Sequence, residues 1–155
     1  MQAATTLPTG NGTVTFENSI VVRRRASEVF DYLADLENIP QWNYAIAETA
    51  KITAGPIGVG TRYRQTRTLP KPAVEEVEVQ EFVPSNRLVI HGRLGPFTAT
   101  LAYDLEEIDE GVIVRNVVEL TGGGLIRIAA PLVSGRIKDA VAVNLDVLKR
   151  RLERG

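Results

Sequence analysis

The sequence predicts an α+β domain in which an antiparallel run of strands is followed by one long C-terminal helix. Three observations predict it. Six stretches between residues 45 and 120 have the β-branched, alternating character of strands and are parted by short turn signals. The end of the chain instead repeats apolar residues every three or four positions. Between the first strand and the six lies one stretch of helical spacing, closed by Pro40 in "LENIPQWNY".

Each element has its own signal. "TVTFENSIVV" (13–22) is rich in β-branched residues and reads as a strand. "ASEVFDYLADLE" (26–37) offers Ser27 as a helix N-cap and sets Val29, Phe30 and Leu33 on one face. A second short helical turn follows at Asn38 to Trp42. The six strand runs are 45–54, 60–68, 74–83, 87–94, 97–106 and 111–120, joined through "GPIGVG", "LPKP", "PSN", "GP" and "DEG". Connections this short make the run an antiparallel meander. In the tail, Ile137, Val141, Leu145, Leu148 and Leu152 form an amphipathic stripe. That helix, 136–153, would run about 27 Å at 1.5 Å per residue, with Pro131 and Gly135 marking a break just before it. Residues 1–12 are expected to be a flexible tail and 13–155 a single domain, since no repeat or linker divides them.

Bulk properties exclude several function classes. The chain has 155 residues, a formal charge of −1 and 24% charged residues, which argues against a nucleic-acid partner. With no cysteine there is no thiol nucleophile, disulfide or thiolate metal site, and a single histidine, His91, rules out the usual multi-histidine zinc sites. No metal or cofactor is expected. "MQAATTLPTGNG" lacks the basic and apolar regions of a secretory leader, and no later run approaches the roughly 20 apolar residues of a membrane span. A cytoplasmic chain without stable membrane insertion is the expectation, and composition selects no oligomeric state.

The element order, together with "ASEVFDYLADLENIPQW", "GVGTRYRQTRT", "EFVPSNRLVI", "GPFTATLAYDLEE" and the Gly-rich, Pro-interrupted approach to the last helix, resembles the START-like superfamily with its helix-grip fold. Within it, the chain is most similar to the bacterial polyketide cyclase/dehydrase-like family, over about residues 14 to 153. The resemblance implies a curved seven-stranded sheet wrapped around the C-terminal helix, with an internal apolar cavity between them. It is specific for fold and poor for reaction, because function lives in the site rather than in the fold. Trp42 and Tyr44 would then line one side of the cavity mouth, unless Trp42 only plugs the end of the sheet.

Strand parity says which side chains face that cavity. In 97–106 the apolar set is Phe97, Ala99, Leu101, Tyr103 and Leu105; in 111–120 it is Val112, Val114, Asn116, Val118 and Leu120. A hairpin centred on Asp109 and Glu110 pairs Leu101 with Val118, Leu105 with Val114 and Tyr103 with Asn116. Tyr103 and Asn116 either satisfy each other or await a ligand. In 60–68 the inner set is Val59, Tyr63, Gln65, Arg67 and Leu69, and in 74–83 it is Val77, Val79, Glu81 and Val83. A hairpin centred on Lys71 pairs Tyr63 with Val79 and Arg67 with Glu75, which makes Arg67 either a structural ion pair or a working cation. Asn144 lies on the apolar stripe of the last helix and needs a partner, while Asp139 and Asp146 fall off it. His91 has outer parity, with Val89 and Arg93. "GPIGVG" reads as a hairpin loop, "RRR" (23–25) as a solvated connection, and Gly122 to Gly124 as a hinge beside the cavity entrance.

Two functional classes follow, with a filled-core interaction module as a third. In one, the protein binds a small apolar molecule of roughly drug size and cyclises or dehydrates a polyketide-like substrate, with Tyr63, Arg67, Glu81 and Tyr103 polarising carbonyls and moving protons. In the other it is a non-catalytic carrier or sensor of an apolar ligand. Both use Trp42, Tyr44, Tyr63, Gln65, Tyr103, Asn116 and Asn144 as ligand contacts.

Overall fold

The computed structural model describes residues 12–123 and 125–154, the side chains of 125–131 excepted. The elements are β1 (Thr13–Val22), α1 (Ala26–Ala34), a 3-10 helix (Leu36–Gln41), β2 (Ile46–Lys51), β3 (Arg62–Arg67), β4 (Ala73–Val83), β5 (Arg87–Leu94), β6 (Phe97–Ile108), β7 (Gly111–Thr121) and α2 (Leu125–Arg154). Among the described residues seven strands make one antiparallel sheet in the order β1-β7-β6-β5-β4-β3-β2. β1 and β2 are its two edges. The segment joining them, α1 and the 3-10 helix, therefore crosses the sheet from edge to edge. α2 lies over the same inner face, which completes a curved sheet gripping a helix.

Parity and register follow the apolar pattern in most of the sheet. The β6–β7 hairpin has the expected pairing, with Leu101 opposite Val118, Tyr103 opposite Asn116 and Leu105 opposite Val114. The β3–β4 pairing is two residues away from the expected one. Tyr63 faces Val77, Gln65 faces Glu75 and Arg67 faces Ala73. A slip of two keeps every side chain on its face, so the apolar pattern alone does not distinguish the registers.

A one-residue irregularity in β4 does change faces. Val79 pairs with Ile90, but Glu81 pairs with Val89, so the alternation reverses between them. Glu81 turns outward. Phe82 turns inward instead and meets Phe30 of α1 edge-on, with ring centroids 5.2 Å apart.

The core has two parts. Val29, Phe30 and Leu33 of α1 pack with Tyr63, Val79, Leu88, Tyr103 and Val114 of the sheet and with Leu145 and Leu148 of α2. Phe16, Phe97, Ala99, Val118 and Leu120 form the second, beneath Val133, Ile137 and Val141. That second contact explains why α2 starts at Leu125 and not near residue 136. The apolar stripe continues toward the N-terminus through Val133, and helix runs through the positions of Pro131 and Gly135. α1 begins at Ala26, which is buried, so Ser27 lies inside the helix. The cap position is Arg25, and it makes no side-chain cap hydrogen bond. The tail expected over residues 1–12 lies, apart from Gly12, outside the described residues, as does Gly124 of the expected hinge.

Gly111 opens β7 with φ of 148°, and a Cβ there would stand 2.1 Å from the Val22 carbonyl oxygen. Gly111→Ala is expected to lose about 2–4 kcal/mol of unfolding free energy, through strain and a backbone clash where β7 passes the end of β1. Urea unfolding measures it, and a loss below about 0.5 kcal/mol would show that the β6–β7 turn shifts at no cost.

Candidate functional site

Between the inner face of β3–β6, the 3-10 helix and α2 lies a cavity of about 70 Å³. Its walls are largely apolar, from Ile39, Ile46, Val77, Ile90, Leu101 and Val141. Polar side chains enter from Asn43, Gln65, Arg67, Tyr103 and Asn144. Trp42 closes one side. The chain places it there by local chemistry: the Asp35 carboxylate accepts from the Glu37 N–H at 3.2 Å to start the 3-10 helix. The Trp42 N–H then donates to the Ile39 carbonyl at 3.0 Å and ends it. The indole is buried, and its Nε1 has no hydrogen-bond partner among the described residues.

One end of the cavity is a buried ionic knot. Arg67 Nε donates to Glu75 Oε1 at 2.9 Å and Gln65 Nε2 donates to the same oxygen at 3.1 Å. The Gly95 N–H, from the β5–β6 turn, donates to Glu75 Oε2 at 2.9 Å. Both side chains of the ion pair are almost fully buried, at 6% and 4% exposure. Glu75 thus has both oxygens engaged by N–H donors, the pattern of a satisfied carboxylate. Arg67 Nη1 makes a long bond of 3.4 Å to the Leu69 carbonyl, leaving guanidinium donors over.

Elsewhere around the cavity polar groups are not satisfied. Asn144 is buried and its Oδ1 has no partner among the described residues, nor does the Tyr103 hydroxyl hydrogen-bond to any of them. Burial pushes the Tyr103 pKa well above the ordinary tyrosine range, so the phenol stays protonated and acts as a donor. Tyr63 is pushed up to about 12, first by burial and then by the nearby Asp35 charge, with the Leu36 backbone opposing. Its hydroxyl falls short of hydrogen-bonding geometry with any described group.

The expected site residues divide into three sets. Trp42, Gln65, Arg67, Tyr103 and Asn144 line the cavity. Tyr63 and Asn116 are fully buried on the same face without lining it. Asn116 sits opposite Tyr103 but donates its Nδ2 to the Ala102 carbonyl at 3.3 Å, and its Oδ1 has no partner among the described residues, so the two side chains do not satisfy each other. Tyr44 and Glu81 belong elsewhere. Tyr44, two residues past Trp42, is 58% exposed. Glu81, reversed by the β4 irregularity, pairs on the outer face with Arg87 at 2.5 Å. His91 has the outer parity expected and lies 3.0 Å from the Thr100 hydroxyl. Of the "RRR" run, Arg24 caps the end of α2 through the Leu152 carbonyl at 2.8 Å.

Sequence reasoning missed Ile39, Ile46 and Asn43 as lining residues. Only the position of the turn relative to the sheet reveals them. It named Glu75 as a partner of Arg67, but the Gly95 contact that completes the carboxylate comes from a different hairpin.

A curved antiparallel sheet closed over one long helix, with a mostly apolar cavity between them, defines the helix-grip class of domain. The chain belongs to the polyketide cyclase / dehydrase and lipid transport family, whose model matches residues 13–153. Similar folds include the di-domain ARO/CYC StfQ from the steffimycin biosynthetic pathway, with a TM-score of 0.75 and 16% identity over 92% of this chain. This chain spans about half of that protein, 51% of its length. The Zhui aromatase/cyclase from Streptomyces sp. R1128 aligns with a TM-score of 0.72 and 11% identity, over 92% of this chain and 94% of that one. A START superfamily protein from Mycobacterium smegmatis aligns with a TM-score of 0.71 and 13% identity, over 90% and 97%. No curated protein matches the sequence. Among the described residues no helix is long and apolar enough to cross a membrane.

The buried phenols make stability depend on alkaline pH. A tyrosine raised from 10 to about 12 on folding keeps its proton in the native state where the unfolded chain has lost it. Its stabilising contribution is therefore complete below pH 10 and is lost as pH climbs toward 12. Unfolding free energy should fall across that window in the wild type and fall less steeply in Tyr63→Phe and Tyr103→Phe. Equal slopes in all three proteins, measured by urea titration at several pH values, would mean that neither phenol is held protonated by the fold.

Proposed function

We propose that this chain binds a small, largely apolar molecule carrying carbonyl or hydroxyl groups, and folds a polyketide-like chain for cyclisation with loss of water. One observation carries the reading: the unpartnered Asn144 amide oxygen and the free, protonated Tyr103 hydroxyl belong to the wall of one apolar cavity. Buried polar groups without partners cost about 1–3 kcal/mol each, which a ligand with matching groups recovers. Family membership and the likeness to aromatase/cyclase folds support the same chemistry. In this reading Tyr103 and Arg67 polarise a carbonyl as donors, while the apolar walls set the chain's conformation.

A second reading, a non-catalytic carrier, is favoured by a specific observation. Among the described lining residues no group serves as a general base: the Tyr103 phenol is held protonated, Glu75 is saturated behind Arg67, and Glu81 lies outside. Size bears on both readings. The cavity of about 70 Å³ is small beside the roughly 300–1,000 Å³ of drug-sized pockets, so a ligand of that size requires the site to widen.

Native mass spectrometry of protein from its own source should reveal a co-purifying apolar molecule. Incubation with a linear poly-β-ketone analogue then separates the readings: ring formation with loss of water marks a cyclase, and unchanged recovery a carrier. An environment-sensitive apolar probe should alter Trp42 emission. Tyr103→Phe should weaken its binding by about 1–3 kcal/mol at unchanged or higher thermal stability, and His91→Gln should leave it alone. Trp42 emission insensitive to every apolar probe tried would overturn the cavity reading.

A further inference from the structure

We propose that Glu75 sets the charge selectivity of the cavity: by cancelling Arg67 within the wall, it restricts the site to neutral ligands and excludes carboxylates. This rests on the reading that the cavity binds a ligand, and concerns which ligands it admits. Among the described lining residues Arg67 is the one cation whose side chain is buried; Arg93, the other, is exposed, and its charge is screened by water. A carboxylate entering an apolar cavity loses its hydration and needs a desolvated cation in return.

Arg67 would serve, were its charge not already matched at 2.9 Å by Glu75. Glu75 cannot easily turn away to free it, because the Gln65 amide and the Gly95 N–H, on two different hairpins, hold both of its oxygens. A second carboxylate beside Arg67 would therefore leave a net buried negative charge. A ketone or hydroxyl brings no such charge and still accepts from the donors Arg67 has left. Glu75 does not line the cavity, so it acts on the ligand only through Arg67. It is a specificity-determining residue and not a catalytic one.

Three probes of one shape and different charge test this: 2-acetylnaphthalene, 2-naphthoate and 2-naphthylmethylammonium, titrated by calorimetry at neutral pH. The wild type should bind the ketone at least about tenfold more tightly than either ion. Glu75→Gln, which leaves Arg67 unmatched, should shift the naphthoate-to-ketone affinity ratio at least about tenfold toward naphthoate. Arg67→Met, which leaves Glu75 unmatched, should shift selectivity toward the ammonium probe. Loss of structure alone would weaken all three probes together, and melting curves identify any variant that does not fold. Naphthoate binding to the wild type as tightly as the ketone overturns the proposal without any variant, and so do wild-type ratios in both folded variants. If none of the probes binds the wild type, the ligand-binding reading itself fails and this inference falls with it.

Discussion

The structure depends on one geometric constraint: a wide sheet with a single apolar face is covered mainly by one long helix. Strands lie about 4.8 Å apart, so a seven-stranded sheet is roughly 29 Å across, whereas a helix with its side chains is about 10–12 Å wide. A flat sheet would leave most of that face in water. Curling around α2, and carrying α1 and the 3-10 helix across from β1 to β2, covers it instead. Three covering elements of different lengths do not tile a concave surface without gaps. The cavity lies between two of them, bounded by Ile39 of the 3-10 helix and Trp42 at its end, Val141 and Asn144 of α2, and the strands below.

The inner face treats its polar groups in two ways, and the contrast supports the proposed placing of a ligand in the cavity. Around Glu75 satisfaction is dense, with three donors on one carboxylate from β3 and the β5–β6 turn. Breaking such a pair strands a buried charge at a cost of about 3–5 kcal/mol, so it ties β3, β4 and the β5–β6 hairpin into one register. Tyr103 and Asn144 are not tied in this way. Neither is needed to hold the strands together, and hydrophobic side chains of similar size would pack as well. Unsatisfied groups beside an open volume are the feature that core packing does not account for.

Most of the fold was legible because the apolar alternation in β6 and β7 is long and unbroken. Parity and turn position together leave one register there, and it places Tyr103 opposite Asn116. β4 was less legible. In "VEEVEVQEFV" Val77, Val79 and Val83 share a parity with Glu81, and nothing in the letters marks the extra residue that hands the inner position to Phe82. The attraction of Phe30, on α1, decides it, and that contact is distant in sequence. Tyr44 misled for a related reason: it stands only two residues after Trp42, but its side chain is already outside the core. The β3–β4 slip shows the limit of parity, since Glu75 reaches Arg67 diagonally in the observed register as well as it would face to face in the other.

In the ligand-binding reading, room for a ligand larger than the cavity would come from the part of α2 that is less firmly held. From Leu145 onward the helix is fixed. Leu145 and Leu148 are fully buried, each contributing about 1.5–3 kcal/mol, while Lys149 bonds that end to Val21 of β1, Arg151 to Gln41, and Arg24, just past β1, donates to the Leu152 carbonyl. Among the described residues between Leu132 and Ala140 the grip is lighter: the Asn18 amide donates to the Lys138 carbonyl at 3.2 Å, but Val133 and Ile137 are only partly buried on the Phe97 cluster, Leu132 is 81% exposed, and a Cβ at Gly135 would meet nothing within 4 Å. The cavity abuts Val141 and Asn144, at the boundary between these two regimes. Lifting residues 132–140 would widen it and leave the C-terminal core intact. The work of peeling Val133 and Ile137 from Phe97 and Leu120 is then subtracted from whatever the ligand gains, so affinity reports on that contact as well as on the cavity walls.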